Sequence, residues 1–235
     1  MSYYAGFDTD IFPGHAQLEW LKRNTNLVWC GYYLAPAPSH GNTSWMGNRA
    51  MLIEEGWGLL PIYVGQQTTG AGSHDVSASQ GAIDGSEAAR LMNREGFSPN
   101  SYVFIDWEDG NALGTDAQVY LRAWAAAVMK RGYHPGIYCS HDLAATMASL
   151  MATLSPAPAL RIWAWNIPTD AAHPYVGALD DFPDGAPSGS GYPDAVAWQC
   201  QQNCALLLRG APIANIQVDL STSSLADPSE PCQSS

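Results

Sequence analysis

Eight short segments rich in Val, Ile, Tyr and Trp recur along the chain, at residues 3–9, 27–35, 59–66, 102–108, 135–140, 161–167, 195–201 and 216–220. Stretches of helical composition separate most of them, at 16–24, 45–55, 82–95 and 116–131, and each ends near a Gly or a polar turn just before the next segment. Alternation of near-continuous apolar strands with helices is the pattern of a parallel sheet covered on both faces. Eight such strands within 235 residues predict one α/β domain, a (β/α)8 TIM barrel over residues 1–225. Helices are expected to be irregular or missing around strands five to eight. Residues 169–194, rich in Gly, Pro, Asp and Ser, stand where a helix would follow strand six, so a long functional loop or a poorly ordered excursion is expected there. Residues 226–235 read as a C-terminal tail without a catalytic role.

Charge excludes one class of partner. The chain has 22 Asp and Glu against 10 Lys and Arg, a net charge of −12, which leaves little with which to displace counterions from nucleic acid. Only 14% of residues are charged, so Ser, Thr, Asn, Gln, Gly and aromatic residues make up much of the surface, a composition suited to neutral polar ligands such as sugars. No stretch approaches the roughly 18 apolar residues of a membrane span, and residues 1–8 show no basic and then apolar leader. The five cysteines, Cys30, Cys139, Cys200, Cys204 and Cys232, are scattered. Cys30 and Cys139 read as buried free thiols within apolar strands. A Cys204–Cys232 or Cys200–Cys204 disulfide would suit an oxidising compartment, and no second cluster completes a zinc site. Neither a metal nor a cofactor is expected.

In a barrel of this class the active site forms at the C-terminal ends of the strands. The first strand ends Gly6-Phe7-Asp8-Thr9-Asp10, the fourth Phe104-Ile105-Asp106-Trp107-Glu108-Asp109 and the eighth Gln217-Val218-Asp219-Leu220. Side chains alternate with period two, so Asp106 and Glu108 project to one side of their strand, about 7 Å apart. Closure of strand eight against strand one places Asp219 beside Asp8. Carboxylates gathered at one mouth raise one another's pKa. Glycoside cleavage uses such a set: one carboxyl kept protonated as general acid, another kept charged against an oxocarbenium-like centre. Asp10 is expected to contact substrate, although Asp10, Asp109 and Asp116 also fit helix capping.

Aromatic and amide residues occupy the other strand ends. Tyr33 is on strand two, Gln66 and Gln67 follow Tyr63 on strand three, and Tyr138 is on strand five. Trp163 and Trp165 lie on strand six, Trp198 and Gln199 on strand seven. Flat rings pack on sugar faces while amides bond hydroxyl or acetamido groups. His40, His74 and His141 fall in loops after strands two, three and five, and three converging histidines would suit a metal-dependent amidase, but no short His spacing supports one. His141 is retained as a substrate contact. Neither Ser44 nor Ser140 lies in a Gly-X-Ser-X-Gly elbow.

Several motifs resemble the bacterial glycoside-hydrolase-like barrel family once described as a domain of unknown function. They are Gly6-Phe7-Asp8-Thr9-Asp10, Gly31-Tyr32-Tyr33-Leu34, the run from Gly56-Trp57-Gly58 to Gly65-Gln66-Gln67, Asp84-Gly85-Ser86-Glu87-Ala88-Ala89 and Pro135-Gly136-Ile137-Tyr138-Cys139-Ser140. More distantly the chain is similar to the muramidases of glycoside hydrolase family 25. Those enzymes carry an Asp on strand one, Asp-X-Glu on strand four, Trp-Gln on strand seven and an Asp on strand eight. The matching positions here are Asp8, Asp106 with Glu108, Trp198-Gln199 and Asp219. The chain departs from the muramidases in Thr9-Asp10 after the first Asp and in Trp163-Ala164-Trp165-Asn166 on strand six. The resemblance implies cleavage of the β-1,4 bond between N-acetylmuramic acid and N-acetylglucosamine in peptidoglycan. Glu108 would be general acid and then base, Asp106 would assist the 2-acetamido group, and Asp8 and Asp219 would support them. A glycan-binding barrel without catalysis is the rival reading. Peptidoglycan lies outside the membrane, so action in the periplasm or beyond implies export by a specialised route, as for an antibacterial effector with a secretion or immunity partner protein.

Overall fold

A computed structural model describes residues 2–167, 173–175 and 177–231. Its strands are β1 (Tyr4–Asp8), β2 (Leu27–Tyr33), β3 (Gly58–Tyr63), β4 (Tyr102–Asp106), β5 (His134–Ser140), β6 (Arg161–Trp165), β7 (His173–Tyr175), β8 (Ala197–Leu207) and β9 (Asn215–Ser223). The sheet order β6-β5-β4-β3-β2-β1-β9-β8-β7, with an added β6–β8 pairing, closes an eight-stranded α/β barrel and leaves β7 outside against β8. β1 to β6 and β8 run parallel, as expected from the sequence, whereas β9 runs antiparallel to both β1 and β8. The reason is connection length. Only residues 208–214 join β8 to β9, and a parallel return needs a crossover of a dozen or more residues. The β8–β9 hairpin therefore rises past the mouth as an arm, pairing Cys204 with Val218 and Leu207 with Asn215, with β7 along its outer edge.

The helices are α1 (His15–Asn24), α2 (Arg49–Glu54), α3 (Ala78–Arg94), α4 (Thr115–Lys130) and α5 (His141–Ala152). α2 is shorter than the 45–55 stretch suggested. α3 starts earlier than 82, because the Ser77 hydroxyl accepts from the Gln80 amide and caps it. A helix does follow β5: Ser140 caps α5, and Asp142 sits favourably in its first turn. No α-helix follows β6, β8 or β9 among the described residues, and the long stretch after β6 supplies β7 and a 3-10 turn, Pro187–Ser190.

Two apolar layers result from the period-two alternation. Trp29, Leu60, Ile62, Tyr102, Phe104, Trp163 and Ala197 fill the barrel interior. The outward set, including Phe7, Tyr32, Leu59, Val103, Ile105 and Ile137, packs beneath the helices. Along β4 the inward positions climb from Tyr102 through Phe104 to Asp106, so a packed aromatic floor lies under the first carboxylate of the site. Cys30, Cys139 and Cys200 are buried free thiols, so the Cys200–Cys204 disulfide is not formed. Both residues lie on the extended β8, which holds them too far apart for a bridge. Cys232 lies outside the described residues.

Candidate active site

Asp8, Asp106, Glu108 and Asp219 line one cavity of about 50 Å³ at the C-terminal mouth, together with Tyr33, Ile62, Tyr138, Trp163, Gln199 and Gln202. Two larger hollows flank it. One, of about 370 Å³, is bounded by Asp8, Thr9, Asp10, Ile11, Tyr33, Asn203, Gln217 and Asp219. The other, of about 400 Å³, is bounded by Glu108, Tyr138, Trp165, Ile167 and Gln202. No Lys or Arg lines any of the three.

The antiparallel β9 delivers Asp219 as expected, in register with Asp8 across the β1–β9 ladder. Asp8 is 5% exposed; its Oδ1 accepts from the Tyr33 hydroxyl at 2.8 Å and its Oδ2 is buried without a partner. Gly31 beside it is required by space, since a Cβ there would lie 2.6 Å from the Asp8 Cβ. Asp219 is held by the Gln199 side chain at 2.9 Å and by the Asn203 backbone N–H at 2.7 Å. Asp106 is buried with Oδ1 unpartnered. Glu108 is exposed at the rim, and Tyr138 stacks obliquely on Trp163, ring centres 4.4 Å apart.

Burial, then the neighbouring carboxylates, push Asp8 and Asp106 well above the usual carboxylate range, against the Tyr33 hydrogen bond that lowers Asp8. Asp219 is raised in the same sense, first by burial, with its two hydrogen bonds opposing. Burial also raises Tyr33 and Tyr138. Tyr33 therefore remains a hydroxyl donor to Asp8. With no Lys or Arg among the described residues that line the cavity, each ionised carboxylate opposes ionisation of the next.

Of the other residues singled out in the sequence, Tyr33, Tyr138, Trp165, Gln199 and Asp10 line the mouth. Three do not. Gln66 turns into the barrel wall, where its Nε2 donates to Asp84 at 3.2 Å and its Oε1 accepts the Asp75 N–H at 2.9 Å. Trp198 faces outward; its indole N–H donates to the Asn166 carbonyl at 3.0 Å and its ring packs on Gly189. The reason is the alternation itself: Trp198 and Gln199 are adjacent on β8, so only one of them can point inward. Gln67 braces the end of β4 from behind, donating to the Asp106 carbonyl at 3.0 Å. His141 heads α5 beside Gly191, with Nε2 3.4 Å from Asp142.

His40 lies against the Tyr33 ring and His74 bonds the Gln67 carbonyl. Among the described residues no three His, Cys, Asp or Glu side chains are grouped to hold a metal ion. Gln202 and Asn203, which the sequence reading passed over, enter the site because β8 continues beyond Gln201. The polar run Gln201-Gln202-Asn203 after an apolar strand was the available signal.

The profile of the Rv2525c-like, glycoside hydrolase-like domain matches residues 20–189, more than half of the chain. The chain belongs to that family. No curated protein sequence matches it. Among solved structures, this glycoside hydrolase-like domain is similar to an uncharacterized protein of B. stearothermophilus, with a TM-score of 0.60, 21% identity and coverage of 94% of this chain and 96% of that one. It is also similar to the Mycobacterium tuberculosis Tat-secreted protein Rv2525c, with a TM-score of 0.56, 15% identity and coverage of 97% and 96%. A bacterial lysozyme from Streptomyces coelicolor matches with a TM-score of 0.57, 13% identity and coverage of 94% and 92%. At these identities the structural likenesses establish the fold.

Proposed function

We propose that the chain is a peptidoglycan-degrading glycosidase, a muramidase that cleaves the β-1,4 bond between N-acetylmuramic acid and N-acetylglucosamine. The observation that carries this reading is the grouping of Asp8, Asp106, Glu108 and Asp219 around one cavity between two open hollows. A glycan laid across the mouth would place its scissile bond over those carboxyls, with Trp165 and Tyr138 against the sugar faces on one side. The lysozyme among the structural neighbours and the family membership support the same chemistry.

Glu108 stands at the open rim, where a carboxyl can meet both the leaving oxygen and water. In the proposed reaction its proton passes to the glycosidic oxygen as that oxygen leaves the anomeric carbon. The 2-acetamido oxygen attacks the same carbon, and Asp106 accepts from the acetamido N–H as positive charge develops. Glu108, now ionised, takes a proton from water, which opens the cyclic intermediate and returns the enzyme to its starting state. Asp8 and Asp219 keep the local field negative toward the developing cation.

Peptidoglycan as substrate places the activity outside the cytoplasmic membrane. No helix among the described residues is long and apolar enough to cross a membrane. An export route and an immunity partner follow from this reading as proposals.

The test is release of reducing ends from purified cell wall, with fragments identified by mass spectrometry. Glu108→Gln should lower the rate at least ~100-fold, the usual loss for a general acid–base residue, while still pelleting with walls. Indistinguishable release by wild type and Glu108→Gln would sink the reading, and so would fragments ending in N-acetylglucosamine at the reducing end.

A further inference from the structure

The Asp106–Glu108 segment extends beyond the last β3–β4 ladder pair, Tyr63 with Ile105. Among the described residues, its strand-like support on the β3 side is a side chain. The Gln67 amide donates to the Asp106 carbonyl at 3.0 Å and accepts from the Glu108 N–H at 3.4 Å, as a peptide group of β3 would have done. On the β5 side the Trp107 N–H donates to the Tyr138 carbonyl at 3.0 Å. The spacing of the two carboxyls therefore depends on where Gln67 is held.

Gln67 is fixed in turn. Its N–H donates to the Ser73 carbonyl at 2.8 Å, and its own carbonyl meets His74 Nδ1 at 2.8 Å. Its chain neighbour Gln66 is tied to Asp84, a residue of α3 that is 2% exposed. Asp84 accepts from Gln66 Nε2 at 3.2 Å, from the Tyr120 hydroxyl of α4 at 2.9 Å and from Gln80 Nε2 at 2.7 Å. The same Tyr120 hydroxyl accepts the Gln66 backbone N–H at 2.9 Å. Gly65 allows this approach, since a Cβ there would lie 2.5 Å from that hydroxyl. A buried carboxylate surrounded by three neutral donors is an expensive device for helix packing alone, which apolar residues of α3 and α4 already provide.

We propose that Asp84 is a positioning residue: through Gln66 and Gln67 it sets the separation and orientation of Asp106 and Glu108. The proposal rests on the glycosidase reading for its catalytic consequence, whereas its structural core, the clamp on the end of β4, can be measured without activity. Asp84→Asn leaves one acceptor oxygen for three donors and sets an NH2 against one of them, which weakens the clamp with little change in volume. Tyr120→Phe removes one donor and keeps the ring, so it serves if Asp84→Asn does not fold.

Two measurements decide it. Amide hydrogen exchange over residues 104–110 should be faster in Asp84→Asn and in Tyr120→Phe than in wild type, at a temperature where circular dichroism shows all three folded. On cell wall, kcat should fall about 10- to 100-fold, the scale of an ångström-size misplacement, with KM within threefold. Gln67→Ala should fall as far, and the Asp84→Asn/Gln67→Ala double variant no further. Unchanged exchange over 104–110 overturns the proposal whatever the activity. Additive losses in the double variant overturn the route through Gln67. Faster exchange with an inactive wild type leaves the clamp standing and removes the glycosidase reading instead.

Discussion

Asp106 and Asp8 are buried, each with an oxygen that lacks a partner, and no Lys or Arg shares their cavities. Their folded pKa values lie well above the unfolded carboxylate value of roughly 3.9. Between the two values the unfolded chain holds fewer protons than the folded one, so stability falls as pH rises through that window. The site thus weakens the fold at neutral pH. Asp106→Asn should accordingly raise the melting temperature at pH 7, by roughly 2–4 °C for each kcal/mol relieved. The gain should shrink as pH falls and vanish below about pH 4, where Asp106 is protonated in both states. Thermal melts of wild type and variant across pH 3.5–7.5 check this, and a gain independent of pH would show that ionisation of Asp106 is not its source. The carboxylates were legible in the sequence because each ends a strand. The amides were only half legible: on β8 alternation turns Gln199 to the mouth and its neighbour Trp198 away from it, whereas Gln66 and Gln67, beyond the end of β3, are both tied into the wall.

Among the elements, the β8–β9 arm shows where reading by segments runs out. An apolar run of β-branched and aromatic residues identifies a strand but not its direction, so β9 was legible as a strand and its antiparallel course was not. The course follows from the short 208–214 connection, and the register slips between Gln199 and Cys204 fall in the polar run inside β8. Within that slip Asn203 adopts φ 55°, a left-handed conformation that Asn tolerates better than most residues. Its N–H thereby reaches Asp219. Asn203→Gly should keep both the fold and the hold on Asp219. Asn203→Val should cost about 1–3 kcal/mol for a β-branched residue forced into this region, and it should lower hydrolysis of cell wall. Denaturant melts and rates on the two variants test the claim, and equal stabilities would refute it.

At the scale of the whole molecule, the barrel has a built mouth at one end and needs a closure at the other. Residues 226–235, which in the sequence look like a loose polar extension, supply part of that closure as far as residue 231. The Ser229 N–H donates to the Leu59 carbonyl, the Tyr102 N–H donates to the Ser229 carbonyl, and Arg161 donates to the Pro228 carbonyl at 2.7 Å. These bonds tie the starts of β3, β4 and β6 across the barrel's N-terminal end. The crossing is so close that a Cβ on Gly58 would lie 1.8 Å from the Ala226 carbonyl oxygen, which gives the Gly in Gly56-Trp57-Gly58 a reason unrelated to catalysis. A tail of Ser, Pro and Asp carries no hydrophobic period, and backbone hydrogen bonds leave no mark in a sequence, so this role was not legible. Three hydrogen bonds at roughly 0.5–1.5 kcal/mol each, with the apolar floor around Trp29 and Tyr102 newly opened to water, should make a chain ending at Leu225 melt several degrees lower. Because the loss falls at the end opposite Asp8, Asp106, Glu108 and Asp219, kcat on cell wall measured well below the melting temperature should stay within about twofold, since sites this far apart are usually independent. A larger fall in kcat, or an unchanged melting temperature, would show that the tail does something other than close the barrel.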